Sequence, residues 1–454
     1  MVKVYHSIPY MSTIFLHSDI FFDFSSRFLP FYSYPHNFKN VDKPFLSCYN
    51  FYSSFMMSYK IKRKEVCNME NQSSLTPANI YINATQERFQ DTYRRWQGIP
   101  SIEVSPKGRI FVNFYSGQDA EVGGNIMVLC ISDDNGRSFR SCATVVEHPD
   151  PECRIYDPNL WFDPLGRLWM TYTQAHGFND GRSGVWVCIC EDADADELVW
   201  SKPRRIANGI MMNKPLVTSN GEWLFPCAIW CNTSGSVPSE QHGLENEQFS
   251  NVYVSTDEGK TITLRGHADI PGRSFDEHML VEKQDGTLWM LVRTFKGIGE
   301  SFSSDGGYTW TPGHNSHIDG PCSRFFIRRL KSGRLLMINH YNFDQRIDLD
   351  DIMSQGNVKS WKGRSHLTAM LSEDDGKTWP YTLLLDERNE VSYPDAKEAD
   401  NGYIYVTYDW ERVTQREILM ACFTEDDILC GKLLSPKGQL RTMVNKALGK
   451  PDIH

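Results

Sequence analysis

Asp163-Pro-Leu-Gly166-Arg-Leu-Trp169 sets a polar turn, carrying one glycine, between two apolar runs. Glycine supplies the positive φ that a tight turn needs, so the stretch reads as a β-hairpin. The same unit stands at Ser105-Pro-Lys-Gly108-Arg-Ile, Ser219-Asn-Gly221-Glu-Trp-Leu and Gln284-Asp-Gly286-Thr-Leu-Trp289. It stands again at Lys331-Ser-Gly333-Arg-Leu-Leu and Asp400-Asn-Gly402-Tyr-Ile-Tyr405. Successive glycines lie 58, 55, 65, 47 and 69 residues apart. A hairpin unit of that length cannot bury a core alone. Its repetition predicts an all-β fold, a six-bladed β-propeller of four-stranded blades.

A second motif, Ser-x-Asp-x-Gly-x-Ser/Thr followed by an aromatic or aliphatic residue, interleaves with the first. It occupies 132–139, 255–262, 303–310 and 372–379, and 191–200 resembles a decayed copy. The Asp side chain can accept backbone N–H bonds and the glycine relaxes the turn, so the motif closes on itself. It marks blades and carries no chemistry of its own.

Composition narrows the function. Lys and Arg total 47 against 57 Asp and Glu, a net charge of −10, which argues against binding a nucleic-acid backbone. No apolar run is long enough to span a membrane. With 40% hydrophobic residues the chain can bury a sizeable core. Several of the 12 cysteines, among them Cys130, Cys188, Cys190, Cys227 and Cys422, sit inside apolar runs, as buried free thiols do. That favours a reducing, cytoplasmic setting, with secretion as the rival reading. No phosphate loop, dinucleotide fingerprint, metal-ligand spacing or serine-hydrolase elbow occurs, so neither cofactor nor metal is expected. Residues 1–68 hold 10 Phe and 7 Tyr, and no glycine precedes Gly98. This composition predicts an N-terminal extension outside the fold, with the propeller over 69–446 and a tail over 447–454. Met69-Glu-Asn-Gln reads like an ordinary chain start.

On its hairpins and boxes the chain resembles the sialidase (neuraminidase) superfamily of six-bladed propellers, over roughly residues 90–425. The resemblance implies a site at the axis. Three arginines would grip a sugar carboxylate, a Tyr would act as nucleophile with a Glu as its base, and an Asp would be the general acid. The residue types suit that chemistry. Arginine forks match the two oxygens of a carboxylate. A phenol is a poor nucleophile until a neighbouring carboxylate takes its proton.

Phe275-Asp-Glu277-His278-Met, followed by Asp285-Gly-Thr-Leu-Trp-Met-Leu-Val-Arg293-Thr, resembles the family's Glu and the inward-facing Arg one hairpin later. Gly363-Arg364-Ser-His-Leu-Thr resembles the setting of its third arginine, and Val391-Ser392-Tyr393-Pro394-Asp395 that of its nucleophilic Tyr. The resemblance points to Asp119 as the acid, in Tyr115-Ser-Gly-Gln-Asp119-Ala-Glu121-Val-Gly-Gly, with Glu121 in reserve. One departure matters most. In Arg94-Arg95-Trp96-Gln97-Gly98-Ile99-Pro100, Gly98 stands where the family carries its central arginine. Period-two alternation cannot turn both Arg94 and Arg95 inward. Arg95 is a candidate to reach in, and Arg324, in Gly320-Pro-Cys-Ser-Arg324-Phe-Phe, is a candidate substitute.

Asp157, Lys214 and His278 come at comparable points on inner strands and are further candidates for the pocket mouth. Trp96 and Trp161 are candidates for stacking on a sugar. The resemblance thus implies an exo-acting glycoside hydrolase that releases a terminal acidic sugar with retention, its partner a glycan or small acidic-sugar substrate. Two other readings stay open: a hydrolase or lyase of another acidic sugar such as a uronic acid, and a silent propeller that binds glycans or proteins.

Overall fold

The computed structural model describes residues 73–230, 242–295, 297–341 and 363–450; the extension expected over 1–68 lies outside them. The described residues form six antiparallel sheets. The first holds β1 (Asn79–Ile82), β2 (Trp96–Val104), β3 (Ile110–Gly117), β4 (Ile126–Ser132) and β5 (Arg140–Glu147), with β1 on its outer edge. The second holds β6 (Cys153–Phe162), β7 (Leu168–His176), β8 (Gly184–Cys190) and β9 (Arg204–Asn208). The third runs through β10 (Leu216–Val217), β11 (Trp223–Ala228), β12 (Ser250–Ser255) and β13 (Thr263–Ala268). The fourth comprises β14 (Met279–Glu282), β15 (Leu288–Thr294), β16 (Gly297–Ser303) and β17 (His314–Asn315). The fifth comprises β18 (Phe326–Arg329), β19 (Leu335–His340), β20 (Leu367–Ser372) and β21 (Tyr381–Asp386). The sixth comprises β22 (Val391–Glu398), β23 (Tyr403–Trp410), β24 (Glu417–Thr424) and β25 (Gln439–Lys446). A short helix, α1 (Glu425–Cys430), links the last two strands. This is the six-bladed propeller that the hairpin spacing predicts.

All six glycine turns join the first two strands of a blade. In each, the glycine N–H donates to the carbonyl three residues back, at 2.9–3.2 Å, and φ lies between +80° and +91°. The four boxes join the third to the fourth strand, counted from the axis, of the first, third, fourth and fifth blades. In every copy the serine hydroxyl meets the Asp at 2.7–2.9 Å and accepts the glycine N–H. Hydrogen bonds from Ser138, Thr261 and Thr378 hold Asp134, Asp257 and Asp374 down at about 2. The box glycine also lets blades approach. A Cβ at Gly259 would run into the Trp169 ring of the preceding blade, and one at Gly376 would lie 2.5 Å from Trp289.

Among the described residues no strand from one end of the chain completes the last blade, and polar clasps join its ends. Arg94, almost fully buried, donates to the Phe89 carbonyl, Gln97, Ser116 and Asn445, and pairs with Asp91. The start of the expected tail belongs to this clasp, because Ala447, Leu448 and Gly449 donate to the Arg416, Asp91 and Arg94 carbonyls. Among the described residues nine cysteines are unpaired and eight of these are buried. No helix among the described residues is long and apolar enough to cross a membrane.

The inner strands meet on a charged hub. Asp395 accepts from Ser101 Oγ at 2.6 Å and the Ile102 N–H at 2.9 Å, and pairs with Lys214 at 3.0 Å and Arg324 at 3.4 Å. Lys214 also donates to the Ile102 and Leu160 carbonyls and pairs with Glu103. Removing one partner of such a buried set leaves the others uncompensated. Asp395→Ala is expected to cost about 3–5 kcal/mol and lower the thermal unfolding midpoint; an unchanged midpoint would show that the hub adds nothing to stability.

Candidate active site

Three inner strands break register at the same place. β2 shifts between Gly98 and Ser101, β6 between Tyr156 and Asn159, and β22 between Ser392 and Asp395. Inside each break a residue precedes a proline: Ile99-Pro100, Asp157-Pro158 and Tyr393-Pro394. Proline offers no N–H to the ladder, and the bulge re-aims the side chain before it. Ile99, Asp157 and Tyr393 have φ of +58°, +47° and +55°, a conformation that L-residues avoid. Ahead of β14, Phe275, Asp276 and Glu277 have φ of +56°, +56° and +43°. Each such residue costs about 1–3 kcal/mol, which the surrounding packing must offset. Ile99, Asp157, Glu277 and Tyr393 all line one cleft of about 740 Å³.

The cleft floor is a triangle. The Tyr393 hydroxyl donates to Glu277 Oε1 at 3.1 Å, and Arg293 Nη1 donates to that same oxygen at 2.5 Å and to Tyr393 Oη at 2.9 Å. The other carboxylate oxygen of Glu277 is buried with no hydrogen-bond partner. Burial pushes the Tyr393 phenol up to about 12; Glu277 adds to the rise, while Arg293, Arg364 and Arg412 oppose it. The Arg364 guanidinium stands 5.3 Å from the Tyr393 ring centre and donates to the Cys322 carbonyl at 3.0 Å. The structure therefore brings together Glu277, Arg293, Arg364 and Tyr393, which come from three blades.

Sequence reading missed a third guanidinium. Arg412, from the loop after β23, lies 4.8 Å from the Tyr393 ring centre. Glu121 holds it at 3.0 Å and Asp409 at 3.8 Å. Its alkyl stem fills the space over Gly98, where a Cβ would collide with Arg412 Cδ. Gly98 is thus the complement of Arg412, and no signal near residue 98 announces a partner so far along the chain. Arg154 was also missed. It lines the cleft beneath Tyr156 and Phe178, 3.7 and 4.1 Å from their ring centres, and its Nε and Nη1 have no hydrogen-bond partner. Trp96, Phe178, Trp230 and Phe275 supply an aromatic wall.

Other expected residues lie elsewhere. The Asp119 side chain is 71% exposed and pairs with Arg95 at 3.0 Å outside the cleft; Ala120 and Glu121 face inward from that loop. Trp96 lines the cleft, so strand alternation turns its neighbour Arg95 away. Arg324 does not substitute for the missing arginine. It is buried below the site, donating to the Pro100 and Met212 carbonyls and to Asn213 Oδ1. Lys214 belongs to the hub. His278 is buried with Nε2 on the Asn251 carbonyl, and burial pulls it down to about 4. Trp161 packs edge-on against Trp169 and Trp223 in the core between blades.

The matches with known proteins agree with this architecture. The chain belongs to the BNR repeat-like domain family, which it matches over residues 152–406, more than half its length. Its fold is similar to that of the Hadza microbial sialidase Hz136, at TM-score 0.55 and 16% identity, over 73% of this chain and 66% of that one. The chain thus spans just under two thirds of that sialidase. It is similar to the intramolecular trans-sialidase of Ruminococcus gnavus, at TM-score 0.53 and 12% identity, over 79% and 99% of the two chains. A Dyadobacter fermentans protein of unknown function aligns at TM-score 0.52 and 17% identity, over 75% and 95%. No curated protein sequence matches the chain.

Gly98→Ala should push Arg412 off its perch. A crystal structure of that variant is expected to show the guanidinium swung away from Tyr393; an undisturbed Arg412 would mean the close approach is not what holds it.

Proposed function

We propose that this chain is an exo-acting glycoside hydrolase of the sialidase type, releasing a terminal acidic sugar with retention of configuration. The observation that carries the reading is the hydrogen-bonded triangle of Tyr393, Glu277 and Arg293. A phenol raised to about 12 is neutral at physiological pH, so it can attack only if its proton leaves as the bond forms. Glu277 Oε1, at 3.1 Å, is placed to receive that proton. A neutral nucleophile also meets no repulsion from an anionic substrate. Arg293, Arg364 and Arg412 ring the phenol and would hold the sugar carboxylate beside the anomeric carbon, with forks that suit two oxygens. Most glycosidases work with a pair of carboxylates. Sialidases that attack with a tyrosine depart from that scheme, and this site has the parts such a departure needs. A cleft of about 740 Å³ accommodates a monosaccharide and the start of its aglycone. A silent binding propeller would have no use for a phenol bonded to a base.

Hydrolysis of a fluorogenic sialoside tests the reading. Glu277→Gln should lower kcat by a factor of about 10²–10⁴, and Tyr393→Phe should abolish turnover without unfolding. Persistent turnover in Tyr393→Phe would remove the nucleophile. Arg412→Ala should weaken kcat/KM by roughly tenfold to a hundredfold, the loss of one charge-assisted contact worth about 1.5–3 kcal/mol. The methyl ester of the same sugar should not feel that substitution.

A further inference from the structure

The proposed reaction needs a group that hands a proton to the leaving oxygen, and the exposed Asp119 does not reach the cleft. Five carboxyl groups line it: Glu121, Asp157, Glu277, Glu390 and Glu411. Glu277 is engaged by Tyr393 and Arg293. Glu121 is the ion-pair partner of Arg412 at 3.0 Å and lies 3.9 Å from Arg154. Glu390 is exposed on the rim, and Glu411 accepts from Thr414. Asp157 differs from all of these. It is 3% exposed, a bulge aims it into the cleft, and among the described residues its carboxyl makes neither a hydrogen bond nor an ion pair. An unpartnered carboxyl in so dry a place is cheapest when it keeps its proton.

We propose that Asp157 is the proton donor of this cleft, a neutral carboxylic acid that protonates the leaving glycosidic oxygen and then serves as base for water. The inference rests on the retaining-hydrolase reading. In the first step Tyr393 Oη bonds to the anomeric carbon as the glycosidic C–O bond breaks. The phenol proton passes to Glu277, and the Asp157 proton goes to the departing oxygen. In the second step the Asp157 carboxylate takes a proton from water as the hydroxyl oxygen bonds to the anomeric carbon. The tyrosyl C–O bond breaks in that same displacement, and the phenol recovers its proton from Glu277. Each group ends as it began.

The charged groups facing Asp157 support this. Burial is the largest influence and lifts it to about 8. Glu121 and Glu277 push the same way, while Arg154 and Arg324 oppose them. The acid form is therefore present below about pH 8, so activity should fall as pH rises through that value.

The test compares two sialosides, one with a sugar aglycone and one with an acidic aryl aglycone that leaves without help. Asp157→Asn is expected to lose about 10²–10⁴ in kcat/KM, which reports the first step, on the first substrate and far less on the second, and to lose the fall in rate near pH 8. Glu121→Gln should affect both substrates alike. An infrared difference spectrum at pH 6, wild type minus Asp157→Asn, should show a protonated-carboxyl band. Equal losses on both substrates with an active wild type, a leaving-group signature in Glu121→Gln instead, or a missing band would each overturn the role of Asp157. A wild type inactive on both sialosides would overturn the hydrolase reading itself.

Discussion

The buried carboxylate of Asp395 pairs with both Lys214 and Arg324, Glu103 being a second partner of Lys214, and through that set the blades are locked in phase. Asp395 reaches blade one through Ser101 and Ile102. Lys214 reaches blade two at the Leu160 carbonyl. Arg324 ties the start of blade five to Pro100 and Met212. Asn213 completes the circuit by donating to the Glu277 and His278 carbonyls of blade four. Burying charge is costly unless each ion is paired and its remaining valences are filled. Here they are filled by backbone carbonyls of neighbouring blades, so the same contacts that satisfy the charges fix the height of each inner strand. Tyr393 stands on one of those strands and Glu277 just ahead of another. Their separation is therefore a property of the whole ring.

That arrangement explains what the sequence revealed and what it hid. The hairpin glycines are legible because all six must adopt a positive φ in open space, a demand that is local and independent of packing. The boxes are legible for the same reason, since each closes on itself. Glu277, Arg293, Arg364 and Tyr393 were found through the resemblance, on motifs that keep their order along the chain. Arg324 is a candidate in the sequence as a substitute for the arginine absent at Gly98, and Lys214 as a cation at the start of an inner strand. Neither clue tells whether the cation's anion is a substrate or Asp395. Arg412 escaped notice because it lies in an ordinary polar loop and its meaning depends on an empty position in another blade. Asp119 misled because a loop gives no alternation from which to read direction.

The three X-Pro bulges show how the fold converts local strain into aim. A regular inner strand would send Ile99, Asp157 and Tyr393 into the barrel of neighbouring side chains. The missing N–H at the next position and the left-handed turn of backbone bring them to the strand's open end. Two residues further on, Ser101, Asn159 and Asp395 resume the ladder and meet one another at the hub, with Asn159 Nδ2 donating to Ser101 Oγ at 3.2 Å. Cleft and hub are thus two faces of one irregularity. A loosened hub would relax the strain and turn the Tyr393 phenol away from Glu277.

The intimacy of Gly98 with Arg412 has a historical corollary. Neither position is free to drift by itself. A bulky residue at 98 collides with the stem of Arg412, and a short residue at 412 leaves a hole over a glycine that cannot fill it. Moving a guanidinium from one blade to the other therefore demands two exchanges in a particular order, the far side chain retreating before the near one grows. Such epistasis acts as a ratchet: with Arg412 filling the space over residue 98, any route to a longer side chain there passes through a short residue at both positions.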